Sequence, residues 1–292
     1  MKILLIDAMN TLHRAYHSYS KLQNSGNPVS IIYGMPCIVN SLINQFKPDD
    51  VYLCWDGRKS EHRLKLLPQY KQGRRKFTEA EKKSFDHQKN EVRDIFYSLG
   101  IKQIIHPKME ADDYIYMLVR KFQKDKSNKI TIVSTDKDFH QLVRSNVKIY
   151  NTAKKALIHK KNLKVQFGYE AKNCVDFLCL TGDSSDNIPG IRGIGKARAM
   201  GLLEKFSSIK NFIESEDSFG NINKKELDYI YGINRQLIDL KYFYREFIKG
   251  KVKLDYYNGN KNPGLNKKAI VSICSKYAIR AFKEKSFLKN YK

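Results

Sequence analysis

The chain opens on Lys2-Ile-Leu-Leu-Ile-Asp7, a short apolar run that ends on a carboxylate. The same grammar returns further on: residues 51–55 run into Asp56, and 130–134 run into Asp136 and Asp138. Residues 101–105 and 147–150 are two more apolar runs without the terminal acid. Short runs rich in Ile and Val suit strands buried on both faces. Between them lie longer segments with helical spacing, such as Ile115, Leu118, Val119 and Phe122 at i, i+3, i+4 and i+7. This alternation predicts an α/β fold, a central and mostly parallel sheet flanked by helices. In such a sheet the carboxyl ends of the strands share one edge, where ligand crevices form. Asp7, Asp56, Asp136 and Asp138 all fall on that edge.

Glu110, Asp112 and Asp113 open the helix that follows residue 109, where the helix dipole favours negative charge. Each acid alone has an ordinary explanation. The Glu110 group can cap its helix, and Asp136 and Asp138 can form turns. Convergence changes the reading, because seven carboxylates from four elements repel one another in one crevice. A pair of divalent cations is the simplest counter-charge. An all-carboxylate set without His or Cys suits Mg²⁺ or Mn²⁺ rather than Zn²⁺.

Lys and Arg number 54 against 30 Asp and Glu, a formal net charge of +24 over 292 residues. That balance points to a polyanionic partner, most often nucleic acid. Five cysteines without a CxxC pair read as reduced thiols in an intracellular protein. No apolar run approaches a membrane span, and the first residues are too short for a signal peptide. The seven His are dispersed and read as surface or packing groups, with no triad. Residues 64–95 form a long connection dense in Lys and Arg between two acid-bearing segments, placed over the crevice edge. Lys71 and Arg74, at i and i+3, can reach one phosphate together. The expected division is an α/β domain over 1–185 and a mostly helical domain over 186–292, with a last helix near 267–282 that packs back.

The stretch Cys179-Leu-Thr-Gly-Asp-Ser-Ser-Asp-Asn-Ile-Pro-Gly-Ile-Arg-Gly-Ile-Gly-Lys-Ala-Arg-Ala199 sets Asp183 and Asp186 beside a Gly-rich, basic segment. Gly190 to Lys196 fits part of a nucleotide-binding phosphate loop, but Ala197 stands where a hydroxyl would hold Mg²⁺, and no apolar strand precedes it. The alternative is a hairpin between two helices whose amides bind one backbone phosphate without reading bases.

Taken together, these motifs resemble those of the bacterial and phage 5′-nucleases, the family of flap endonucleases, phage 5′-exonucleases and the 5′-nuclease domain of bacterial DNA polymerase I. The resemblance rests on Leu5-Ile-Asp-Ala-Met-Asn10, His13-Arg-Ala-Tyr-His17, Trp55-Asp-Gly57, Leu67-Pro-Gln-Tyr-Lys-Gln-Gly-Arg74, Met109-Glu-Ala-Asp-Asp113, Ser134-Thr-Asp-Lys-Asp-Phe139 and Thr181 to Gly195. It is clear from residue 1 to about 206. It implies a PIN-like (resolvase-like) fold with a helical arch over 64–95 and a helix–three-turn–helix element in the C-terminal part. It also implies metal ligation by Asp7, Asp56, Glu110, Asp112, Asp113, Asp136, Asp138, Asp183 and Asp186. Lys71 and Arg74 become arch cations near the scissile phosphate, and Asp136 a catalytic acid. Arg14, Tyr16, Arg75, Gly190, Gly193, Gly195, Lys196 and Arg198 become DNA contacts, with K⁺ held by the main chain of Ile191 and Ile194. Relatives usually carry Lys-Thr where this chain has Ala197-Arg198, which passes phosphate contact to Lys196 and Arg198.

The implied activity is structure-specific 5′–3′ exonuclease and flap endonuclease cleavage by two Mg²⁺ ions, with Mn²⁺ able to substitute. The substrates are 5′ flaps, nicks or 5′ ends of DNA, in replication or repair. Tyr16 either stacks on an unpaired base or packs as an ordinary aromatic. A 5′-nuclease acting on RNA primers, or a non-catalytic junction binder, is the alternative. The expected setting is a monomer acting alone in the cytoplasm of a bacterial cell, without a polymerase domain or a membrane. The richness in Lys, Asn and Ile points to an AT-rich and phage source.

Overall fold

The computed structural model describes residues 1–57, 60–73 and 76–291. Its strands are β1 (Lys2–Asp7), β2 (Gln23–Asn24), β3 (Asn27–Pro28), β4 (Asp50–Cys54), β5 (Lys102–Ile104), β6 (Lys129–Val133), β7 (Val147–Asn151) and β8 (Ala156–Ile158). The helices are α1 (Ala8–Ser18), α2 (Ser30–Phe46), α3 (Glu61–Leu66), α4 (Glu79–Ser98), α5 (Ala111–Phe122), α6 (Leu163–Phe167) and α7 (Cys174–Thr181). Then follow α8 (Lys196–Phe206), α9 (Ile209–Glu214), α10 (Lys224–Ile238), α11 (Leu240–Phe243), α12 (Lys267–Lys276) and α13 (Lys285–Leu288).

The main sheet runs β5-β4-β1-β6-β7-β8, and every neighbouring pair is parallel except β7 with β8. All five expected strands are present. β8 and the β2–β3 hairpin were not foreseen. β8 is three residues long inside a lysine-rich stretch, and the hairpin strands are two residues each, too short to show an apolar period.

β1 shows why the sheet is covered on both sides. Leu4 and Ile6 join one core with α1, α2, α4 and the C-terminal segment, while Ile3 and Leu5 join a second with α5 and α11. A third core is built separately from Tyr169, α7, α8, α9 and α10. The tail does not stay with this helical unit: Ile270, Cys274, Phe282 and Phe287 are buried in the first core. Among the described residues no helix is long and apolar enough to cross a membrane.

Within the quoted 179–199 stretch, residues 183–188 form a tight hairpin between α7 and α8. Asp183 N–H donates to Ile188 O at 2.9 Å, and Ile188 N–H returns to Asp183 O at 2.8 Å. Gly182 (φ +72) sits so near the returning chain that a Cβ would lie 2.4 Å from Gly190 N. Gly195, by contrast, has open space around it and caps α8 from an extended conformation. Gly182→Ala is therefore expected to destabilise the protein by about 2–3 kcal/mol, through left-handed strain and overpacking. Gly195→Ala should change stability by less than about 1 kcal/mol. Urea unfolding of the two variants checks this contrast.

Candidate active site

The parallel register brings the acids together. Asp7 ends β1 and caps α1, accepting from Asn10 N–H at 3.0 Å and from Ser134 Oγ at 2.8 Å. Asp56 follows β4 and accepts from Ala111 N–H at 2.7 Å, which ties it to the start of α5. Asp136 accepts from Asp138 N–H at 2.8 Å in the turn after β6. Asp183 accepts from both Ser185 N–H and Ser185 Oγ at 2.8 and 2.7 Å. Asp7, Asp56, Asp112, Asp136 and Asp183 line one open cleft of about 630 Å³. Asp136, Asp138 and Asp183 each offer an oxygen within 4.8 Å of the others, among the described residues.

These carboxylates are costly as neighbours. Burial, then Asp56, pushes the Asp7 carboxyl up to about 7. Burial and Asp136 drive Asp112 well above the usual carboxylate range. Burial and the charges of Asp136, Asp186 and Asp183 do the same to Asp138, whose Oδ1 is buried without a hydrogen-bond partner. The Asp136, Asp138 and Asp183 oxygens, crowded and with one acceptor unsatisfied, form the chemical surroundings that a hard divalent cation fits.

Behind the cleft stand the cations. Arg63 on α3 is 1% exposed. It donates to Glu110 Oε2 and to Asp113 Oδ1, both at 3.0 Å, and its guanidinium lies 4.1 Å from the centre of the Phe243 ring. Lys71 Nζ lies 2.8 Å from Glu110 Oε2 and 3.6 Å from Asp186 Oδ2. Burial by itself raises the Glu110 carboxyl, but Arg63 and then Lys71 outweigh it and hold it down at about 2. Asp113 does not join the cleft. Both its oxygens accept from Arg63, and Oδ2 also accepts from Glu110 N–H at 3.1 Å, so it supports the N-terminus of α5.

Other expected residues fall elsewhere. Tyr16 packs edge-on against Phe77 and Phe85, each at 5.5 Å, and does not line the cleft. Arg14 donates to Thr152 O. Arg198 donates to Gly193 O at 2.9 Å and lies close against Gly220. Lys196 is exposed at the first turn of α8, whose start carries no side-chain cap. Gly190 packs against Thr181, and the Ile191 carbonyl already accepts from Ile194 N–H at 3.0 Å. Arg74 and Arg75 lie outside the described residues.

A further part of the cleft lining was not foreseen: Met9, His13, His17 and Phe77. His13 and His17 are at i and i+4 on α1, directly after Asp7, a spacing that puts them on one face. Arg63 had no sequence signal, because nothing local separates a buried arginine from its exposed neighbours in a basic run, and Tyr70 lies in the quoted 67–74 motif without a role read for it.

Comparisons with known proteins identify the family. Residues 2–168 match the family described as "5'-3' exonuclease, N-terminal resolvase-like domain", and 169–241 match "5'-3' exonuclease, C-terminal SAM fold". A 5'-3' exonuclease of Buchnera aphidicola subsp. Acyrthosiphon pisum is 31% identical over 286 residues, covering 96% of each chain. A flap endonuclease Xni of Shewanella denitrificans is 34% identical over 222 residues, 75% of this chain and 83% of that one. In fold, the flap endonuclease of bacteriophage T5, solved with DNA and metal ions, matches with a TM-score of 0.70 over 99% of both chains at 18% identity. Fold and acid cluster together define a nuclease. The chain belongs to the 5′–3′ exonuclease family, which includes the flap endonucleases.

Arg63→Met would leave Glu110 and Asp113 as buried like charges and is expected to cost about 3–5 kcal/mol. Lys210→Met, which breaks an exposed pair with Glu214, should cost no more than about 0.5 kcal/mol. Denaturant titration of both variants measures the difference.

Proposed function

We propose that the protein hydrolyses phosphodiesters near the 5′ ends of DNA flaps, nicks and duplex ends, using two Mg²⁺ ions held by the acid cluster. The observation that carries this reading is the convergence of Asp7, Asp56, Asp112, Asp136 and Asp183 on one cleft, with the orphaned Asp138 oxygen beside it. Asp7, Asp56, Asp112 and Asp136, joined by Glu110, would hold one ion; Asp138, Asp183 and Asp186 would hold the other. Bound there, such ions polarise the phosphate and lower the proton affinity of the attacking water. Mn²⁺ fits the same oxygen set.

The protein's own residues orient and exclude. Asn10 and Ser134 fix the Asp7 carboxylate, and Ala111 N–H fixes that of Asp56, so neither must reorganise when substrate arrives. Lys71 borders the cleft and would meet a phosphate there once released from Glu110 and Asp186, with Arg74 proposed for the same role. The wall of His13 and Phe77, stacked with ring planes 9° apart, offers aromatic surface to an unpaired base. Tyr16 supports that wall from behind.

The 190–198 segment would hold duplex backbone at a set distance from the cleft. The uncapped start of α8 and Lys196 are suited to one phosphate. Arg198, occupied with Gly193 O, would shape the loop more than touch DNA. K⁺ at the Ile191 and Ile194 carbonyls belongs to the same reading. Deoxyribose strands are the proposed substrate. Cleavage of a matched RNA-tipped flap at an equal rate would widen the substrate class.

The direct test is a 5′-labelled flap incubated with Mg²⁺ or EDTA, with products sized on a gel. Asp136→Asn is expected to lower cleavage by at least about a hundredfold, since even outer partners of metal ligands can cost that much, while flap binding persists. Wild-type cutting in EDTA, or undiminished cutting by the variant, would refute the assignment. Lys196→Ala should weaken binding of all duplex sequences alike and reduce the salt slope of log K by about 1, measured by fluorescence anisotropy across a salt series.

A further inference from the structure

Lys71, a cation on the cleft lining, is not free to act where it stands. Lys71 Nζ is bound 2.8 Å from Glu110 Oε2 and 3.6 Å from Asp186 Oδ2, with its side chain only 7% exposed. Tyr70 OH lies 3.1 Å from Glu110 Oε2 and 3.2 Å from Asp186 Oδ2, closing the same cradle. The backbone holds the position as well. Lys71 N–H donates to Asp186 O at 2.9 Å, and Lys71 adopts φ +58, a left-handed conformation that a lysine keeps only when its surroundings impose it.

Glu110 Oε2 is fully subscribed. It receives Arg63 and Lys71, which fill its two lone pairs, and Tyr70 OH, with one proton to place, stands between it and Asp186 Oδ2. A divalent ion can use that oxygen only if one donor leaves. Arg63 is clamped by Asp113 and Phe243, and Tyr70 is 2% exposed. Lys71 alone of the three borders the cleft. An ammonium and a divalent ion on the same carboxylate repel each other, and the doubly charged ion can engage several of the crowded acids at once.

We propose that Lys71 is the internal counter-ion of the metal-free site, and that divalent-ion binding displaces its ammonium from Glu110 and Asp186 into the cleft. The arch cation then becomes available to a phosphate only after the metal is in place. This rests on the acid cluster being a metal site, and the test separates the two ideas.

The full chain, without DNA, is treated with an amine-acetylating reagent in EDTA and in saturating Mg²⁺, with peptide mass spectrometry to follow each lysine. Thermal unfolding is recorded on the same samples. In EDTA, Lys71 should acetylate at least about a hundredfold more slowly than the exposed Lys65 and Lys76, because its amine must first leave a buried pair. In Mg²⁺ the melting temperature should rise by mass action, and the Lys71 rate should approach that of Lys76. A raised melting temperature with Lys71 still protected overturns the displacement and leaves the metal site standing. Rapid acetylation of Lys71 in EDTA overturns it too. No change in melting temperature overturns both ideas.

Discussion

Like charges held side by side at the carboxyl edge of a parallel sheet are the constraint around which the molecule is arranged. Parallel pairing fixes the register of β1, β4 and β6, so Asp7, Asp56 and Asp136 cannot avoid one another. Folding must pay for that crowding elsewhere. Some of it is offset by short hydrogen bonds from Asn10, Ser134 and Ala111, and some by raised proton affinity at Asp7, Asp112 and Asp138. A further part falls to Arg63 and Lys71, two buried cations paired with Glu110, Asp113 and Asp186.

That arrangement divides the acids by task, although the sequence presents them as equals. Five face the cleft. Glu110 and Asp113 belong to the ionic brace that joins α3 to α5, and Asp186 anchors the main chain of Lys71. Gln141 adds a second brace. Its amide donates to Asp138 O and Ile238 O, and its carbonyl accepts from Leu240 N–H, which ties the Asp138 turn to the junction of α10 and α11. The helical unit is thus coupled to the site through hydrogen bonds at a turn as well as through apolar packing.

The features legible in the sequence are those governed by local rules. Doubly buried strands must be apolar throughout, so β1, β4 and β6 announce themselves, and acids just beyond them must reach the ligand edge. The Gly182–Gly190 approach also has a local cause, since only a residue without Cβ fits there. Tertiary events left no such trace. Arg63 sits among other basic residues and differs from them only in what α5 and α11 bring to it. Tyr16 and Phe77 look alike as sequence. Phe77, directly before the Thr78–Glu81 capping box of α4, lines the cleft, and Tyr16 does not. β8 was invisible because edge strands of three residues need no apolar pattern.

The return of the tail has a further consequence. Phe282 stacks on Tyr33 with centroids 5.9 Å apart, Asn290 donates to Asn40, and Lys276 pairs with Glu91. The surface these residues cover is made by α2 and α4, which leave the ribosome some two hundred residues earlier. During synthesis that face waits uncovered while the catalytic edge of the sheet is already encoded and emerging. The 267–291 segment is therefore made after the α2 and α4 face that it closes, so a nascent chain acquires its site residues well before it acquires this packing.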